Sequence, residues 1–215
     1  MSRMRSAMAI VVGAGVSAAC ATALPPPPQA VLEYGRQDCA AGPNLASAIS
    51  LTPEKETNGH IVTTLIDART ECLAAARGGV PYVIYALPAD LGDKMLSVGS
   101  VLEPYRILSP EVTVLNAQGE PTRTFAAADY FYRGPVFSVQ LRPREGDAFV
   151  MVAANPERVG QQYDSIAVGT QTTTVYTGYG AANWTTGHEA SLSRTFSYEG
   201  VAHVTVYDTD TKEDQ

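Results

Sequence analysis

The sequence predicts a mainly β chain, an antiparallel β-sandwich with one or two short helices. Three observations carry this. Short apolar runs alternate with polar residues at strand spacing, and turn residues separate them. The chain holds 18 Gly, 14 Pro and 11 Tyr in 215 residues, a turn-rich and aromatic composition. Charged residues make up only 17% against 45% hydrophobic, enough apolar side chain to fill one core.

The elements follow in order. Arg3 and Arg5 precede a short apolar run, Ala7 to Ala19. A membrane-spanning helix needs about 20 strongly apolar residues. This run is shorter and made of Ala, Val and Gly, so residues 1–19 read as a signal peptide. Two cleavage chemistries compete at its end. Val16-Ser17-Ala18-Ala19-Cys20 resembles a bacterial lipobox, in which Cys20 takes the lipid and becomes the new N-terminus. The alternative is an A-x-A cut after Ala21 or Ala23, which would release a soluble protein. Lipidation of Cys20 is the favoured expectation. Residues 20–40 then form a lipid-anchored tether, stiffened by Pro25 to Pro28, since proline fixes φ and cannot donate to a ladder. With Cys20 acylated, Cys39 and Cys72 remain as an even pair in an oxidising compartment and are expected to form a disulfide.

Residues 41–208 are assigned to the sandwich. Asn44 to Ser50 is expected as a short helix, with Pro43 at its start and Thr52-Pro53 at its end. Strands are expected at His60–Ile66, Val80–Leu87, Met95–Val101, Glu111–Leu115, Val136–Leu141, Ala148–Ala153 and Val201–Asp208. Arg123–Phe125 is a weaker strand and Tyr130–Tyr132 an aromatic cluster. In Met95–Val101, Leu96, Val98 and Ser100 should share one face and Met95, Ser97 and Gly99 the other. Arg77-Gly78-Gly79 should break the chain. Asn155-Pro156-Glu157 carries a helix-start signature, with a helix expected to about Gln162. Gly169 to Gly187 is a Thr- and Gly-rich stretch before the last strand. Residues 209–215 form a charged, loose tail.

Within this frame the central segment resembles a known family. Tyr85-Ala86-Leu87-Pro88-Ala89 is followed by Leu91-Gly92, then Leu108-Ser109-Pro110-Glu111-Val112, Val114-Leu115-Asn116 and Gly119-Glu120-Pro121. Phe131-Tyr132 and Asn155-Pro156-Glu157 continue the series, and Ala46 to Pro53 adds to it upstream. Residues 45–161 are thereby similar to the MalM family, the maltose operon periplasmic proteins. The resemblance implies an exported β domain of the cell envelope, linked to maltodextrin or polysaccharide uptake, and it carries over no catalytic residue. Trp184 to Asp208 lies outside it.

The chemistry of the side chains points the same way. The net charge is −7; loss of Arg3 and Arg5 with residues 1–19 leaves 13 basic against 22 acidic side chains, or −9. Such a surface repels phosphate backbones, which argues against nucleic-acid partners. No Gly-x-Ser-x-Gly elbow occurs. His60, His188 and His203 lack metal-ligand spacing and read as surface or partly satisfied residues. Asp90/Asp93 and Glu145/Asp147 are near in sequence but sit in turn-like contexts. No residue is assigned a catalytic role, and neither cofactor nor metal is expected.

One stretch suits a ligand. Tyr176, Tyr179 and Trp184 are spaced by Gly, Asn and Thr, so their rings could stack on sugar faces while Asn183 offers hydrogen bonds. The competing reading is a hairpin whose aromatics pack on the sandwich. The expected protein is therefore a non-catalytic periplasmic lipoprotein, held by its lipid at the outer membrane, acting as an accessory or binding module. The alternative is a structural envelope protein that binds other proteins or cell wall and has no small-molecule ligand.

Overall fold

A computed structural model describes residues 25–55, 57–76, 78–92, 94–177 and 180–208. The expected signal peptide, Cys20, Tyr179 and the tail lie outside the described residues. The strands are β1 (Ile49–Ser50), β2 (Gly59–Ile66), β3 (Cys72–Ala75), β4 (Gly78–Ala86), β5 (Lys94–Val101), β6 (Arg106–Leu108) and β7 (Pro110–Leu115). After these come β8 (Pro121–Thr124), β9 (Phe131–Arg133), β10 (Val136–Leu141), β11 (Phe149–Ala154), β12 (Gln162–Thr177), β13 (Gly180–Ser197) and β14 (Gly200–Asp208). The only helical pieces among the described residues are two 3-10 turns, Leu45–Ser47 and Ala127–Asp129.

Two sheets make the sandwich. One runs β1-β4-β11-β7-β8, with β3 also on β4; the other runs β2-β14-β5-β10-β9. The contacts are antiparallel except for β1 on β4. Each strand buries its apolar set because side chains alternate with period two. Leu96 and Val98 of β5, with Val204 and Val206 of β14, meet Val112 and Val114 of β7 and Val150 and Val152 of β11 in one core. Fully burying each of these Leu and Val side chains contributes roughly 1.5–3 kcal/mol. The expected faces of β5 are observed: Ser100, on the core side with Leu96 and Val98, donates from Oγ to Leu108 O at 2.9 Å.

β4 is buried on both faces, which explains its unbroken apolar run. Tyr85 points into the main core and donates its hydroxyl to Thr64 Oγ1 of β2 at 2.9 Å, joining the two sheets. Tyr82 and Ile84 face the other way, into a second cluster that Leu45 and Ala48 help to cover. Desolvation of the Tyr85 phenol pushes its pKa up to about 12.

Several local expectations need correction. Asn44–Ser50 forms no longer helix. Asn44 Oδ1 accepts from Ala46 N at 3.2 Å and caps a single 3-10 turn, after which Ile49–Ser50 pairs in parallel with β4. Strand pairing has overridden helix propensity there. Asn155–Gln162 is also not a helix. Asn155 Oδ1 does accept from Glu157 N at 2.9 Å, but the chain turns at Gly160, whose φ of +87° no helix tolerates, and enters β12. Gly79 is no chain break either: it lies inside β4, where a Cβ would stand 2.4 Å from Cys39 Sγ. The Thr- and Gly-rich stretch belongs to the two longest strands of the fold.

The segment assigned to the tether is in part stitched to the domain. Val31 O accepts from Tyr198 N, and Val31 N donates to Ser197 Oγ, both at 2.9 Å. Tyr34 is buried and donates to Thr70 O, while Ala40 bridges Leu73. Pro25 to Pro28 remain exposed. The Cys39–Cys72 disulfide closes this attachment.

Candidate binding surfaces

The third sheet, β12-β13-β6, holds the residues expected to bind a ligand. β12 and β13 pair without a register break from Gln162↔Thr195 to Thr177↔Gly180. At about 3.3 Å per residue this ribbon is roughly 50 Å long. Its base is firmly held. Tyr163 of β12 and Phe196 of β13 pack on Phe137 of β10 at ring-centroid distances of 5.1 and 5.7 Å. Thr195–Ser197 pair in parallel with β6. Arg194 Nε donates to Glu103 O at 2.6 Å, and Arg106 bridges Glu103 and Glu199.

The aromatic cluster under the base is closed by a cation. Arg158 stands over the rings of Phe196, Phe137 and Tyr130 at 4.5, 5.0 and 5.5 Å. The turn at 155–160 delivers it there, so the short segment expected as a helix instead seals the core. Burial lowers the Arg158 pKa, partly opposed by Tyr130.

Beyond the base, the side chains that are described are exposed. Thr172, Thr173 and Thr174 are consecutive, so they occupy both faces, and all three are exposed. Asn183, Thr185, Thr186 and Gly187 on the opposite strand are exposed as well. Of the expected ligand residues, Tyr176 is 82% exposed. Asn183 pairs with Thr174, whose hydroxyl donates to Asn183 Oδ1 at 3.0 Å. Trp184 pairs with Thr173, in the set of positions that alternates with Asn183–Thr174 and Tyr176–Ala181. At the positions whose side chains are described, the ribbon thus offers hydroxyl, amide and phenol groups to solvent.

Two clefts were not legible in the sequence, because their residues come from distant elements. The first, about 270 Å³, is lined by Thr52, Pro53, Thr57, His60, Asp90, Lys94, Val206 and Asp208. Lys94 Nζ lies 2.6 Å from Asp208 Oδ2 and 3.3 Å from Asp90 Oδ2. The hydrogen bond to Asp208 raises the Lys94 pKa and burial opposes it. Lys94 and Asp208 are cross-strand partners of β5 and β14, so the cation serves as a strut.

The second cleft, about 390 Å³, is lined by Ala75, Ala76, Glu111, Asn155, Pro156 and Glu157. Burial pushes the Glu111 carboxyl up, and the charge of Glu157 adds to the shift. Of the acids weighed in the sequence, Asp147 is structural: it pairs with Arg123 and accepts from Thr122 Oγ1 and Arg144 N. His203 is half-buried, 2.8 Å from Thr205 Oγ1, and desolvation lowers its pKa. Among the described residues, no group of three or more His, Cys, Asp or Glu could hold a metal ion, and no helix is long and apolar enough to cross a membrane.

Fold and site together define a mainly β sandwich from which a long two-stranded ribbon projects. The chain matches no protein-family model, no curated protein and no solved structure.

Proposed function

We propose that the chain is a non-catalytic envelope module of the MalM type, exported, anchored through a lipid on Cys20, and binding through its β12–β13 ribbon. The ribbon carries this reading. Its base is clamped by aromatic packing and an ion network, while its described outer side chains meet solvent on both faces. A ribbon fixed at one end, with its described outer side chains in solvent, suits a surface that something else covers. The exposed prolines at 25–28 suit a spacer between a membrane anchor and the domain. The segments similar to the MalM family suggest an α-glucan as the small ligand, with Tyr176 as a stacking ring and Asn183 as a polar contact on one set of positions and Trp184 as a ring on the alternating set.

Palmitate labelling and maltodextrin titration test the two halves separately. Radiolabelled palmitate is expected on the wild type and absent from Cys20→Ser; equal labelling of both would end the lipoprotein reading. Saturable maltodextrin binding is expected by calorimetry, abolished in Tyr176→Ala and Trp184→Ala. Unaltered binding in both variants would remove the sugar from the ribbon. The open sides of the ribbon favour a second reading, in which protein is what covers it.

A further inference from the structure

A strand that lacks a neighbour exposes a row of backbone donors and acceptors to any chain able to pair with it. Folded proteins blunt such edges by keeping them short, or by adding charge, proline or a bulge. Of the sandwich edges, β8 and β9 follow that rule, whereas β2, eight residues long without charge or proline, does not and is exceeded in length only by β4, β14 and the ribbon strands. The first two are four and three residues long, β8 carries Pro121 and Arg123, β9 carries Arg133, and β8 also meets a register shift at Val114/Leu115.

The ribbon does the opposite. β12 pairs with β13 and with no other strand among the described residues, and β13 reaches a second strand only at Thr195–Ser197. From Ser165 to His188 the sequence contains no Asp, Glu, Lys, Arg or Pro. The pairing runs through 16 residues of β12 without a shift, so neither side is twisted away by a bulge. A two-stranded ribbon without a third strand or a covering layer is marginally stable in water. Length, regularity and lack of charge together leave its edges open to pairing.

We infer that the ribbon pairs edge to edge with the ribbons of further copies of this chain. The occupant follows from there being two open sides. A single strand of a different protein would cover one side and leave the other exposed. A second copy presents the same length and the same uncharged backbone on both sides, and repetition covers each ribbon twice. Such a head-to-tail contact propagates until a ring closes it. The neutral stretch imposes no charge repulsion between copies, although the chain carries a net charge of −7. This inference rests on the ribbon being the binding element. A lipid anchor on every copy would add to it by holding the ribbons at one height and raising their local concentration.

The test is sedimentation of the purified full chain in detergent, and of Cys20→Ser in buffer, over a range of protein concentrations. Assembly into a discrete multimer is expected in both. Thr172→Lys/Thr173→Lys/Thr174→Lys, which charges both faces of β12, is expected to give single chains with an unchanged thermal midpoint. Asn183→Lys/Thr185→Lys does the same from β13 and serves if the first variant is destabilised. Assembly that disappears in Cys20→Ser while the lysine variants keep it belongs to the anchor, and overturns edge pairing without touching the lipoprotein reading. A monomer at every concentration overturns it too. So does a monomer whose ribbon drives co-sedimentation with phosphatidylethanolamine–phosphatidylglycerol vesicles, which would assign the ribbon to lipid.

Discussion

A carboxyl group in a partly closed cleft resists ionising, and Glu111 is in that position beside Glu157. Its proton is held more tightly in the folded chain than in the unfolded one, where the ordinary value is 4.5. The stability this group contributes is therefore complete below pH about 4.5 and is lost as the pH rises through the raised folded value. Glu111→Gln keeps the shape and removes the titration. Thermal unfolding should show the variant gaining on the wild type at pH 7 and losing that gain near pH 4. An equal shift at both values would mean that the carboxyl is not under strain. The same cleft shows what sequence reading misses at this scale. Glu111 was legible as a strand residue, but its approach to Glu157 depends on the turn after Asn155, which joins positions 46 residues apart in the chain.

At the scale of elements, the disulfide does more than link two loops. Cys39 ends the arm that Val31, Tyr34 and Ala40 fasten to the sandwich, and Cys72 opens β3. The bridge spans a sequence separation of 33, so restricting the unfolded chain contributes about 3–4 kcal/mol. Cys39→Ser/Cys72→Ser should lower the urea midpoint by the corresponding amount, with the slope showing whether the arm has come free. A midpoint equal to that of the wild type would show that the bridge adds nothing to stability. The pairing was readable from cysteine parity; the role of Gly79 in admitting the sulfur was not, since close approach is a property of three dimensions.

The longer strands with a buried face were legible, whereas the short β3 and β6 were missed although Cys72 and all of Arg106–Leu108 are buried. β2, β4, β5, β7, β10, β11 and β14 alternate or run apolar because the core demands it. β12 and β13 escaped for the converse reason. Thr172, Thr173 and Thr174 are exposed on both faces, so no apolar stripe marks them, and the stretch was legible only as Thr- and Gly-rich, with a hairpin as the competing reading. The absence of a pattern was itself the sign of an element with no partner inside the chain. At its base, Tyr163 and Phe196 enter the aromatic cluster of the core.

At the scale of the whole molecule, the chain divides into a sandwich with a shared core and a two-stranded ribbon that, on the proposal above, pairs with something outside it. Amide hydrogen exchange on highly dilute protein measures that division directly. Slow exchange is predicted throughout β4, β5, β11 and β14, where the strands have neighbours on both sides, and in the base pairs from Gln162 to Asp164. From Ser165 to Thr177 exchange should be faster by orders of magnitude, because opening the ribbon there disturbs no core. Protection of Ser165–Thr177 equal to that of β5 and β14 in the dilute monomer would contradict the account, since the ribbon would then be covered by its own chain.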